Sequence, residues 1–340
     1  MNLLLVGSDK IFAIENIYVK YLKEKHDVTL FPAQSIFYDY YYRKGIVHKL
    51  LFKAGLSSIY RNIDKLLIEK IEAVKPQAVW VFKGMEISPK TLQWIKSRGI
   101  RLVNYNPDNP FIFSGRGSGN SNITNSIGLY DLHFTYNHEI KERLQKDYNA
   151  LVEDLPFGFE INDSVFSEAQ NQEEINKACF LGNPDKERAA LVNGIAESGL
   201  PLDVFGNDWK SFVKSENITV HEPVYKDDLW KTLRRYRVQL NMMRVHNENS
   251  HNMRTFEIPA IGGIQLAPDT VEHRFFFNEG KDIFLYKSID DCIQKVKALI
   301  ALPASEAEQI RVNARRTSIE NKYSYRDRAL HAAEKIKRIL

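Results

Sequence analysis

The chain begins with an apolar run, Leu3-Leu-Leu-Val6, closed by Gly7. Apolar residues then recur at helical spacing through Ile14, Ile17, Tyr18 and Tyr21, and Val28-Thr-Leu-Phe31 follows. A short continuous run, a 3.6-residue period and a second run read as strand, helix, strand, the start of a doubly wound sheet. A long helical stretch, roughly 46–74, precedes the buried-strand candidate Ala78-Val-Trp-Val-Phe82. Lys83-Gly84 turns the chain toward a helix beginning at Ser88-Pro89, where proline takes its favoured first position. Arg101-Leu-Val-Asn-Tyr105 is the next strand and ends in the turn-rich loop Asn106-Pro-Asp-Asn-Pro110. Functional loops of open α/β sheets leave the carboxyl ends of strands, so Gly7, Lys83, Gly84, Asp108 and Asn109 are expected at one rim.

Residues 113–126 are rich in Gly, Ser and Asn and read as a mobile loop. A strand over 131–135, a helix from His138 and a closing run over 151–155 complete the first pattern, and the polar, acidic stretch 162–176 reads as a linker. The pattern restarts at Lys177-Ala-Cys-Phe-Leu-Gly182, with strands over 202–205, 218–220 and 238–241 and helices over 185–198 and 227–235. The expected organisation is therefore α/β: a Rossmann-like domain over 1–160, a linker over 161–176 and a second Rossmann-like domain over 177–323. An amphipathic helix over 324–340 ends the chain.

Composition narrows the function. With 340 residues, 44% hydrophobic and 26% charged, the chain has enough apolar side chains for two cores. A net charge of +4 without a dense Lys/Arg block argues against a nucleic-acid partner. The cysteines, Cys179 and Cys292, form neither a metal-ligand set nor a disulfide framework and fit a reducing compartment. No signal-like start and no stretch of ~18 apolar residues is present, so a cytoplasmic location is expected. The histidines have no zinc spacing, Asp227-Asp228 and Asp290-Asp291 sit where helix starts favour acids, and Gly7-Ser-Asp-Lys10 lacks the dinucleotide spacing. Neither metal nor cofactor is expected.

The most informative run is Arg254-Thr-Phe256-Glu257-Ile-Pro-Ala260-Ile-Gly262-Gly263. It follows the capping-rich Asn247-Glu-Asn-Ser250-His251-Asn252 and precedes the strand-like Ile264-Gln-Leu-Ala267. This reads as a helix start facing a pocket. Unpaired N–H groups and partial positive charge there would seat a diphosphate, and a carboxylate one to two turns in could accept ribose hydroxyls.

The spacing Arg-x-Phe-Glu-x-x-Ala-x-Gly, with Phe277-Asn-Glu-Gly280-Lys-Asp-Ile-Phe-Leu-Tyr286 and Tyr323-Ser-Tyr-Arg-Asp-Arg328 after it, resembles the CgeB-like (spore-maturation-protein-like) glycosyltransferases. The resemblance implies GT-B architecture, two Rossmann-like domains facing a cleft, a terminal helix crossing back to the first domain, and metal-independent transfer from a nucleotide diphosphate sugar. It places Glu257 on the ribose hydroxyls, Arg254, Arg188 and Lys186 near phosphate, and Ser250, His251, Asn252, Gly262 and Gly263 around the donor. It places Asp108 as the acceptor's proton acceptor, with Lys83, Gly84, Asn109 and Gly7 on the acceptor side. Asn249 stands where related retaining enzymes carry a second Glu, so stereochemistry stays open.

Plainer readings stand beside these. Arg254 and Glu257 also fit a surface i,i+3 ion pair, Asp185 and Arg188 a solvated helix start, and Asp108 a turn-former. The stretch from Phe37 through Lys44, Lys49 and Lys53 to Arg61 fits core packing with a basic outer face, or a patch resting on an anionic membrane and serving a lipid-linked acceptor. The expected function is sugar transfer to a glycan, lipid-linked or similar acceptor in surface polysaccharide or glycoconjugate synthesis. The alternatives are a GT-B nucleotide-sugar epimerase and a non-catalytic nucleotide-sugar or glycan-binding module.

Overall fold

The computed structural model describes all residues except 12, 44, 54–56, 114–118 and 245–248. The chain divides into two compact units, Met1–Pro156 with Tyr325–Leu340, and Phe157–Ser324. The first contains β1 (Asn2–Val6), α1 (Ile14–Leu22), β2 (Asp27–Phe31) and α2 (Ala33–Tyr38), which runs into a π-helical turn over Asp39–Arg43. It continues with α3 (Ile46–Lys53), α4 (Ile59–Val74), β3 (Ala78–Phe82), α5 (Pro89–Ser97), β4 (Arg101–Tyr105), α6 (Ser121–Ser126), β5 (Leu132–Thr135), α7 (His138–Tyr148) and β6 (Val152–Asp154). The second contains α8 (Asp163–Gln170), β7 (Ile175–Leu181), α9 (Lys186–Glu197), β8 (Leu202–Phe205), β9 (Ile218–His221), α10 (Lys226–Arg235) and β10 (Tyr236–Leu240). It is completed by α11 (Met253–Ala260), β11 (Gln265–Pro268), α12 (Val271–Phe276), β12 (Phe284–Tyr286), α13 (Ile289–Ile300) and α14 (Ala304–Glu320), and α15 (Tyr325–Lys337) returns to the first unit.

Among the described residues each unit is built on a six-stranded parallel sheet, ordered β2-β1-β3-β4-β5-β6 in the first and β12-β11-β10-β7-β8-β9 in the second. Continuous apolar runs suit strands covered on both faces. Leu3 and Leu5 pack on one side of β1 with Tyr18, Trp80 and α15, whereas Leu4 and Val6 pack on the other with Ile63 and Leu67 of α4. One strand thus serves two cores, as its two-residue period requires.

Three segments differ from the sequence reading. Residues 162–176, read as a linker, form α8 and the start of β7, with Val165 and Ala169 buried and α8 packed on α10. The stretch 46–74 is two helices, with 54–56 outside the described residues. Part of the expected loop 113–126 is the short helix α6, capped by Asn120 and buried through Ile123 and Ser126. Residues 114–118 of that loop lie outside the described residues.

Candidate functional site

In the second unit the strand order reverses beside β7: β8 and β9 lie on one side, β10, β11 and β12 on the other. A crevice opens at the carboxyl ends where connections diverge in this way, here between β7 and β10. Helices α9 and α11 start from the loops that leave those two strands.

Arg188 joins the two loops. Its Nη1 donates to the carbonyl of Asn183 after β7 (3.1 Å) and its Nη2 to the carbonyl of Met242 after β10 (2.8 Å). Asp185 caps α9 by accepting from the Arg188 N–H (3.0 Å), so the capping half of the plain reading holds. The solvated half does not: Arg188 is 9% exposed, with its guanidinium beside the Phe180 ring, and burial lowers its proton affinity. Lys186, the first residue of α9, is exposed.

At α11 the cap is Asn252. Its side chain accepts from the Thr255 N–H, and the Thr255 hydroxyl accepts from the Asn252 N–H (3.2 Å each). The first two helical N–H groups, of Met253 and Arg254, have no acceptor within the helix. Thr255 is held in turn by Asn241 Nδ2 from the end of β10 (3.1 Å) and by His273 Nε2 of α12 (3.0 Å). His273 Nδ1 donates to the Pro268 carbonyl (2.8 Å), and burial lowers its pKa to about 4, so the ring is neutral and Nε2 accepts from the Thr255 hydroxyl. This buttress fixes the helix start, and no spacing in the sequence marks it.

Arg254 and Glu257 do form the i,i+3 ion pair, through Nη1 and Oε2, but not on an open surface: the Glu257 side chain is 7% exposed and that of Arg254 25%. Glu257 Oε1 has no partner among the described residues, and Arg254 Nε is buried without one. One buried carboxylate oxygen is therefore left to accept.

The side chains of Ser250 and His251 are fully buried and directed to Glu272 Oε2 at 2.6 and 2.5 Å, with His251 packed among Phe157, Phe256 and Phe276, so the side-chain cap of α11 comes from Asn252. Gly262 and Gly263 lie past the opposite end of α11. The Gly263 N–H bonds the Ile258 carbonyl (2.8 Å) and the Gly262 N–H that of Pro259 (3.0 Å), with Gly262 at φ +76°, a Schellman stop that returns the chain to β11. A side chain on Gly263 would collide with Ile258 and Gln239. These glycines end the helix and touch no crevice at its start. Asn247 and Glu248, read as part of the capping cluster, lie outside the described residues.

The first unit has a corresponding switch point between β1 and β3. Gly7 ends β1, and a Cβ there would meet Glu15 Oε1 at 2.6 Å, so the glycine admits the Glu15 carboxylate to the Ser8 N–H (3.0 Å). Lys83 and Gly84 both adopt positive φ, +61° and +92°, a bend that swings the chain inward after β3. Lys83 Nζ meets Asp108 Oδ2 at 2.7 Å. The turns around Asp108 are made by its neighbours instead: Asn106 Oδ1 accepts from the Asp108 N–H and Asn109 Oδ1 from the Phe111 N–H. Asp108 is thus a paired carboxylate, and Asn109 a turn-former. Among the described residues no three His, Cys, Asp or Glu side chains converge as a metal would need.

A family model described as "Glycosyl transferase-like" matches residues 186–334. Over its length the chain is similar to sucrose-phosphate synthase from Thermosynechococcus elongatus, with 10% identity and a TM-score of 0.71, covering 99% of this chain and 98% of that one. The fold is that of the GT-B glycosyltransferases. The GT-B likeness extends to Anabaena Alr3699/HepE, solved in complex with UDP and glucose, at 13% identity and a TM-score of 0.65, covering 99% of both chains. In the GtfA/B complex (12% identity, TM-score 0.56) 82% of this chain is covered, and it spans 60% of the length of that chain. No curated protein matches significantly in sequence.

Proposed function

We propose that the chain is a metal-independent glycosyltransferase of the GT-B kind, moving a sugar from a nucleotide diphosphate donor to a hydroxyl acceptor. The observation that carries this reading is the start of α11. Free N–H groups, the Arg254 cation and the buried Glu257 carboxylate lie within two turns, on a helix whose first turn is locked by Asn252, Thr255 and His273. The N–H groups and Arg254 suit the diphosphate, and Glu257 Oε1 suits ribose hydroxyls. Arg188 keeps positive charge where negative charge grows on the leaving diphosphate, electrostatic work that a metal does in other sites. On the acceptor side, Lys83 and Asp108 form a polar pair that can orient an incoming hydroxyl, and the bare backbones of Gly7 and Gly84 admit Glu15 and Tyr130 close against the chain.

The test is a calorimetric screen of UDP, GDP and ADP, followed by turnover of the matching nucleotide sugars without added metal. Binding of one diphosphate with release of the free sugar or its transfer supports the reading. Binding with no turnover against any acceptor would leave a nucleotide-sugar-binding module, and conversion of the donor sugar without transfer would make it an epimerase.

The acceptor side carries a feature that favours a lipid-linked substrate in glycoconjugate synthesis. The stretch over 37–61 splits into two halves. Phe37, Phe52 and Tyr60 pack together as core, whereas Tyr42, Ile46, Val47, Leu50 and Leu51 are 59, 74, 61, 58 and 38% exposed. Lys49 lies over the Tyr41 and Tyr42 rings beside this apolar face, and Arg43 flanks it. Lys44 lies outside the described residues, and Asp39 is the one acid in a sequence that also carries Lys53 and Arg61. An exposed apolar turn rimmed by tyrosine and cations suits the interface of an anionic bilayer, and among the described residues no helix is long and apolar enough to cross one. The protein is expected to sediment with vesicles containing phosphatidylglycerol and to stay in the supernatant with pure phosphatidylcholine. The double variant I46E/L50E should abolish sedimentation, and retention of binding by that variant would remove α3 from the contact.

A further inference from the structure

Two carboxylates at the β1/β3 switch point are nearly dry: Glu15 is 6% exposed and Glu86 3%. Among the described residues neither is in an ion pair, because the nearby ammonium of Lys83 is spent on Asp108. A buried acid without a cation is costly, and packing alone gives no return for it. The loop that carries Glu86 is nonetheless held firmly in place. Lys83 and Gly84 take left-handed backbone, the Lys83 N–H bonds the Tyr105 carbonyl (2.8 Å), Asn120 and Asn122 donate to the Met85 carbonyl (2.9 and 3.0 Å), and Asp64 accepts from the Ser88 N–H (3.1 Å). Strained backbone, four anchoring bonds and a buried acid without an ion-pair partner, in the loop that leaves the carboxyl end of β3, are the marks of a functional group.

We propose that Glu86 is the proton acceptor for the incoming hydroxyl, an inference that rests on the glycosyl transfer proposed above. As the acceptor oxygen bonds C1 of the donor sugar, its proton passes to a Glu86 oxygen. The C1–O bond to the diphosphate breaks, and its electron pair leaves with the nucleoside diphosphate. Asp108 is the poorer candidate because its carboxylate already shares the Lys83 ammonium; it orients the hydroxyl instead. The surroundings match the task. Burial raises the Glu86 carboxyl to about 7, with Lys83 opposing and Glu15 of α1 adding to the shift. The remaining titratable neighbours are tyrosines: Tyr38 of α2, which also feels Asp108, Tyr60 of α4, and Tyr130 before β5. A base with that affinity is half-loaded near neutral pH and works best there.

The experiment compares wild type with E86Q, using the nucleotide sugar that the wild type turns over best among UDP-glucose, GDP-mannose and ADP-glucose. E86Q is expected to lower kcat at least ~100-fold while the Kd for the nucleoside diphosphate stays within twofold. The rise of wild-type rate with pH through about 7 should vanish in the variant. Folding is checked by thermal stability. Folded Glu86 binds a proton between its ordinary 4.5 and about 7 that the unfolded chain has released, so wild-type stability falls as pH rises through that window. E86Q should lack this fall and melt higher than wild type at pH 8. A variant that keeps its rate within threefold, or keeps the limb near 7, overturns the assignment to Glu86. If the wild type neither binds nor turns over any of the three donors, the glycosyl-transfer reading falls, and this inference with it.

Discussion

Replacing Glu257 by alanine is expected to raise the Kd for the nucleoside diphosphate ten- to a hundredfold, the largest effect of any single substitution on donor binding. Glu257 lies in the second turn of α11, is 5% exposed, and keeps Oε1 without a partner among the described residues while Oε2 holds Arg254. Hydrogen bonds from ribose hydroxyls to an ionised carboxylate contribute about 1.5–3 kcal/mol, and each 1.4 kcal/mol is a factor of ten in affinity. Alanine also frees Arg254, whose side chain is 25% exposed and can turn toward water, so the fold should survive. Glutamine keeps an acceptor oxygen and should lose less than alanine. Isothermal calorimetry with the diphosphate that binds wild type best decides the matter: equal affinities for wild type and the alanine variant would return the pair to an ordinary helix-stabilising role.

The second large effect is on stability. Arg188→Ala strips the donors from two main-chain carbonyls, of Asn183 and Met242, that close the β7 and β10 loops over one another. Each carbonyl left dry costs about 1–3 kcal/mol, so the variant should lose about 2–5 kcal/mol and melt roughly 5–15 °C lower. Arg188→Lys keeps the charge but cannot span both carbonyls, and should fall between alanine and wild type. Thermal melts of the three proteins test this. Equal melting temperatures would show that water replaces the fork without penalty and that Arg188 does not brace the crevice.

Legibility in the sequence followed burial. Strands β1 and β3 were readable because parallel strands covered on both faces are apolar through their buried length, β4 through Leu102, Val103 and Tyr105 despite the polar Asn104, and Ser88-Pro89 marked the start of α5 because its capping chemistry is local. Helix α8 was hidden because it buries only Val165 and Ala169 within an acidic stretch, so its contact with α10 leaves almost no periodic trace. Helix α6 shares its Ser and Asn content with the loop before it. At the donor site the capping cluster pointed to the start of α11, yet a glycine pair ten residues on says nothing of which helix end it serves. Only the eight-residue length of α11 and its Schellman bonds separate Gly262 and Gly263 from the crevice. Glu15, Glu86 and His273 could not have been found by spacing. Glu15 lies eight positions after Gly7 and His273 eighteen after Thr255, and the folded chain alone brings them together. A signal did exist for Glu86: two charged residues, Lys83 and Glu86, directly after a fully apolar strand, where a carboxyl-end loop places functional groups.

The return of α15 to the first unit bears on the order in which the protein is made. Tyr325, Ala329, Ala332, Ala333 and Ile336 fill the same core as Leu3, Leu5 and Trp80. While the chain emerges from the ribosome, that core has one wall missing until its last helix is released, whereas Phe157–Ser324 already holds all of its own strands. The earlier-synthesised half therefore finishes folding last, the reverse of the usual vectorial order. Until then the exposed face of β1 and β3 is the part of the nascent protein that most needs a chaperone.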